Sequence, residues 1–92
     1  MTKKAIIVRM LHNLINVAES EKDGPAMLRY LDGILAVEPS SHEERWARAV
    51  FRMQAGQRTG SLQDCEYLLK NAPPEVDLER VEELRRLLQK SR

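Results

Sequence analysis

The sequence predicts an all-α fold of five antiparallel helices stacked as helical pairs, an α-solenoid in miniature. Three observations carry that reading. Apolar residues recur every three or four positions through long segments. Gly and Pro number four each and fall mostly between those segments. Leu, Glu, Arg and Ala are abundant and 32% of residues are charged, which is helical composition. With 92 residues, 42% of them hydrophobic, the chain has material for one core and one domain, residues 1–92.

The first helix is expected over roughly residues 3–20, with Ile7, Met10, Leu11, Leu14, Ile15 and Ala18 on one broad face. Asp23 or Gly24 supplies the next N-cap, and Pro25 suits a first turn because no backbone donor is missed there. The second helix carries Met27, Leu28, Leu31, Ile34 and Leu35, and ends near Glu38 because Pro39 disfavours helix at the residue before it. Ser40 and Ser41 stand three residues before Glu43 and Glu44, the spacing of a capping box. The third helix carries Trp46, Ala49, Val50, Phe51 and Met53, and Gly56 is its C-terminal stop. Thr59-Gly60-Ser61 opens a fourth helix with Leu62, Cys65, Leu68 and Leu69, closed by Pro73-Pro74. Asp77 caps a fifth helix carrying Leu78, Val81, Leu84, Leu87 and Leu88. The core is expected to include Leu11, Leu14, Leu31, Ile34, Leu68 and Leu84.

Pro39 and Pro73 each end a helix and stand 34 residues apart, and Leu28 with Leu62 and Leu35 with Leu69 share that offset. Two helical hairpins at that period are the mark of the tetratricopeptide repeat, with a four- or five-helix bundle as the alternative. The first repeat spans about residues 5–39 and the second about 41–73. The fifth helix, about 77–90, has no partner in the chain and reads as a capping helix over the last repeat, with Glu79, Glu82, Arg86 and Lys90 outward. In the second repeat the pattern places Arg45, Arg48, Ala49 and Arg52 at packing positions. Arginine is rarely buried unpaired. A frame turned by one residue would bury Trp46, Ala49, Val50 and Met53 instead, and apolar burial favours that rotation.

The opening segment Ile7-Val8-Arg9-Met10-Leu11-His12-Asn13-Leu14 resembles the "RML-x-NL" signature at the start of the tetratricopeptide tail of bacterial transglutaminase-like proteins. Leu35-Ala36-Val37-Glu38-Pro39, then Arg48, Ala49 and Gly56, then Leu62-Gln63-Asp64 are similar to later parts of that tail. The resemblance implies an upstream papain-like, transglutaminase-type catalytic domain. It implies for this chain a structural tail that folds or positions that domain. The family's catalytic cysteine belongs to the upstream domain and does not carry over to Cys65.

Composition excludes several functions. The formal net charge is +1, without the basic surplus of a dedicated nucleic-acid binder, and 4% aromatic residues leave no stacking platform for single strands. No apolar run approaches the length of a membrane span and no signal-peptide pattern opens the chain. The single cysteine suits a reducing compartment, and a cytoplasmic location is expected. Cys65 lies on the apolar stripe of its helix, with His12 and His42 on other helices, so it reads as a small buried hydrophobe. Cys65, His12 and His42 lack the clustered spacing of a zinc site. Gly56-Gln57-Arg58-Thr59-Gly60 lacks the spacing of a phosphate loop and is a turn. No catalytic residue, cofactor site or metal site is expected.

What remains is a non-catalytic protein-interaction module. Segments 1–20 and 41–60 are each net +2, while 21–40 and 61–76 are each net −2. In tetratricopeptide architecture the first helices of the pairs line the hollow side, which would then be positive. The expected partner is a protein or peptide, acidic in character, or the upstream domain, with no nucleic acid and no membrane involved. The candidate contact residues are Arg9, His12, Asn16, Glu43, Arg45, Trp46, Arg48 and Arg52. For the arginine stripe, a solvated face partly paired with Glu38 and Glu44 is the alternative to a docking surface. For Trp46, a place in the core is the alternative to a groove anchor.

Overall fold

A computed structural model describes residues 2–90. Five helices follow one another: α1 (Lys3–Ser20), α2 (Gly24–Val37), α3 (His42–Gln54), α4 (Arg58–Asn71) and α5 (Leu78–Lys90). Each packs against the next in sequence, giving a flat stack with extents of 42 × 29 × 17 Å. The fold is an all-α helical repeat, two hairpins followed by a closing helix.

Local chemistry sets the ends. Thr2 Oγ1 accepts from the Ala5 amide at 3.1 Å and caps α1. Asp23 accepts from Ala26 at 3.1 Å and caps α2, with Pro25 in the first turn. The capping box expected before α3 does not form: Ser41 is the N-cap residue, but its hydroxyl donates back to Glu38 at 3.1 Å. Gly56 turns the chain out of α3 with φ of +77°, a conformation that side chains disfavour. The fourth helix starts earlier than expected, at Arg58, which places Ser61 inside it. Ala72 adopts the left-handed conformation after α4, and Pro73 prevents its continuation. The Asp77 carboxylate accepts from the Glu79 amide at 3.1 Å beside the start of α5.

Two clusters stand out in the core, beside the buried Leu28, Leu31, Ile34 and Leu35 of α2. Ala49, Cys65, Leu68, Val76, Val81, Leu84 and Leu88 form the larger, across α3, α4, α5 and the loop before α5, with Trp46, Val50, Leu62 and Leu69 packed against it. Ala18, Ala26 and Met27 form the smaller, with Ile15, Tyr30 and Phe51 alongside. Small residues let α3 and α4 approach: Ser61 is buried and its hydroxyl donates to the Ala49 carbonyl at 2.7 Å. A Cβ on Gly60 would stand 3.1 Å from the Arg52 side chain.

Of the expected core, Leu31, Ile34, Leu68 and Leu84 are buried. Leu11 is half-buried and Leu14 is 41% exposed. Ile7 and Met10 on α1 and Leu87 on α5 also face outward. The reason on α1 is that only one flank is covered by α2, and the apolar arc of the helix is wider than that flank.

The expected rotation of α3 does not occur. Met53 is exposed, whereas the side chains of Arg45, Arg48 and Arg52 retain 13%, 14% and 20% of their accessible surface. The repeat's own frame holds, and Trp46 and Val50 take flanking, half-buried places. A buried carboxylate makes this possible.

Candidate partner-binding site

That carboxylate is Asp64. It sits on α4 in the same buried row as Ser61, Cys65 and Leu68, with a side-chain exposure of 2%. An isolated charge there would be strongly disfavoured. Three arginines from α3 converge on it. Arg48 Nε and Nη2 reach the two carboxylate oxygens at 3.0 and 2.7 Å. Arg52 Nη1 donates at 3.2 Å and also reaches the Gly60 carbonyl at 3.1 Å. Arg45 Nη1 stands 3.6 Å away. Asp32 on α2 takes the outer edge of the cluster, 2.9 Å from Arg48 and 3.7 Å from Arg52. Burial of the Arg48 guanidinium works against its charge, but the hydrogen bonds and charges of Asp64 and then Asp32 outweigh it and hold the group above the ordinary arginine range. The network ties α2, α3 and α4 together.

Arg45 is held from other directions as well. Its guanidinium lies 3.8 Å over the ring of Tyr67, and Nη2 donates to the Pro39 carbonyl at 2.8 Å. His42 Nδ1 is 2.7 Å from Glu75 and joins the start of α3 to the loop before α5. The pairing anticipated with Glu38 and Glu44 is absent from this cluster; the arginines use Asp64 and Asp32 instead.

A cleft opens between α1 and α3. It encloses about 230 Å³ and is lined by His12, Ile15, Asn16, Leu31, Glu43, Glu44 and Ala47. Ile15 and Leu31 supply an apolar floor, and Ala47 leaves room above it. His12 Nε2 lies 3.1 Å from Glu44 Oε1 across the mouth. Glu43 is exposed and makes no ion pair among the described residues. Both glutamates lie in the first turn of α3, where the helix dipole favours negative charge.

The eight candidate contact residues therefore divide. His12, Asn16 and Glu43 meet in the cleft. Arg9 is on an exposed part of α1, outside the residues that line it. Arg45, Arg48 and Arg52 gather on Asp64, and Trp46 packs against the larger core. Glu44 and Ala47 also line the cleft, and sequence reasoning did not select them. Asp64 was missed too, although its place in a row with Ser61, Cys65 and Leu68 is readable from spacing.

No curated protein and no solved structure matches this chain. A family model described as tetratricopeptide repeat matches residues 14–89, most of the chain. Its span begins within α1 and takes in α2, the close α3–α4 approach at Ala49 and Ser61, and all but the last residue of the closing helix. This chain belongs to the tetratricopeptide-repeat family.

Proposed function

We propose that the chain is a non-catalytic scaffold module that holds a short segment of a protein partner in the cleft between α1 and α3. The observation that carries this reading is the cleft itself: an apolar floor of Ile15 and Leu31 under a rim of His12, Asn16, Glu43 and Glu44. A few convergent polar groups over an apolar floor suit capture of one side chain and its flanking backbone. The charged groups at the rim are carboxylates, so the favoured partner segment carries a lysine or arginine. An acidic segment, the expectation from segment charge, would find the α3 arginines already engaged by Asp64 and Asp32. Of the candidate basic residues, that leaves Arg9. A buried Cys65 thiol suits a cytoplasmic setting.

The test is to titrate two degenerate peptide pools, one with a fixed lysine and one with a fixed aspartate, against isotope-labelled chain. The lysine pool is expected to shift His12, Asn16, Glu43, Glu44 and Ala47, and to weaken as salt is raised. Shifts confined to α2 and α4, or a preference for the aspartate pool, would refute the reading.

The second reading is a structural tail of a transglutaminase-like enzyme. It draws on the Arg9–Leu14 motif and asks for docking to an upstream domain of the same protein. A catalytic domain of that type whose folding depends on this chain, in a protein where the cleft is dispensable, would favour it over peptide capture.

A further inference from the structure

The face of α1 turned away from α3 carries Ile7, Met10, Leu14 and Val17, which are 41–58% exposed, with Ile6 at its edge. Their spacing of three, four and three is that of the a and d positions of a heptad seam. At about 100° per residue they lie roughly opposite His12, so the stripe and the cleft occupy different sides of the helix. Exposed apolar rows of this regularity mark contact surfaces.

The charges on α1 say what fits there. Lys3 and Lys4 open the helix with no acidic residue in its first turn, and Glu19 lies in the last turn, which has no basic one. Both ends oppose the helix dipole. None of these residues, nor Glu21 just beyond, makes an ion pair among the described residues. Lys3 and Glu21 continue the heptad spacing of the apolar row, one at each end.

We infer that α1 pairs with α1 of a second copy of this chain, antiparallel, about a two-fold axis near residue 12. Ile7 then meets Val17 of the second copy and Met10 meets its Leu14, a against d in every layer. The same register sets Lys3 opposite Glu21 at both ends. Each basic helix start receives the acidic end of its mate, and the two dipoles oppose one another. The patch is self-complementary, as a two-fold interface requires. An 18-residue helix is about 27 Å long and about 10 Å wide, a footprint below that of a standard interface, so the dimer is a weak one in rapid exchange. Both clefts stay open in it.

Sedimentation equilibrium of the full chain from micromolar to millimolar loading tests this. Wild type should pass from monomer to dimer. Met10→Glu, at the most exposed position of the row, should weaken association at least about tenfold while helicity is retained. Lys3→Glu and Glu21→Lys should each weaken it by about threefold, and the double variant should restore it, because only the antiparallel register brings those positions together. A chain monomeric throughout would overturn the proposal and leave the face for a different helix. A dimer indifferent to Met10→Glu would place the contact elsewhere. Failure of the double variant to restore association would overturn the antiparallel register.

Discussion

Arg48 grips Asp64 with both prongs of its guanidinium, at 3.0 and 2.7 Å, across the α3–α4 interface. Bidentate pairing of this kind fixes direction as well as distance. It settles which face of α3 turns inward, because a side chain whose charged head is satisfied can bury its stem.

Removing the carboxylate should therefore be costly. Asp64→Ala would leave Arg45, Arg48 and Arg52 partly buried without their shared acceptor, at about 3–5 kcal/mol. Arg48→Ala should cost less, since Arg45 and Arg52 remain beside Asp64. Urea denaturation of both variants checks the order. A loss smaller for Asp64→Ala than for Arg48→Ala would mean that the arginines are satisfied by solvent.

The core assignment separates two apolar residues that look alike in sequence. Leu31→Ala removes a buried side chain and should cost about 2–5 kcal/mol. Met53→Ala, on the outward side of α3, should change stability by about 1 kcal/mol or less. Equal losses would restore the rotated frame.

Cys65 should be chemically quiet in the folded chain. Burial, and then the neighbouring Asp64 charge, push its thiol up to about 11, so the thiolate is scarce at neutral pH. Iodoacetamide at mildly alkaline pH should modify it in urea and leave the native chain unlabelled, as read by mass spectrometry. Rapid native labelling would contradict both its burial and its raised pKa.

The loop before α5 should carry a pH signature. The hydrogen bond with His42, followed by one within its own backbone, holds the Glu75 carboxyl below its ordinary range. A depressed carboxylate contributes its stability above the unfolded-state pKa and loses it as pH falls through the folded value. His42→Ala should return the Glu75 carbon-13 titration toward the ordinary range. An unchanged midpoint would show that the 2.7 Å contact is not the cause.

Helix order was readable because Pro25, Pro39 and Pro73-Pro74 punctuate apolar rows at helical spacing. The face of α3 was not, because periodicity counts arginine as outward whatever it pairs with. The missing information lay on another helix, in Asp64. On α1, Leu14 belongs to the expected core yet faces outward with Ile7 and Met10, since a sequence does not state how many neighbours a helix has. His12, Asn16 and Glu43 were selected on expected helix placement, but the Glu43–Glu44 rim gives the cleft a sign opposite to the one that segment charge suggested.

Glu43 is the direct test of partner capture, because its side chain is exposed and makes no ion pair among the described residues. Binding of the fixed-lysine and fixed-aspartate pools to wild type and to Glu43→Lys, measured side by side at low salt, reads the cleft's role. The substitution should weaken the lysine pool at least about tenfold and give no comparable loss for the aspartate pool. An affinity for the lysine pool that Glu43→Lys leaves unchanged would contradict that role.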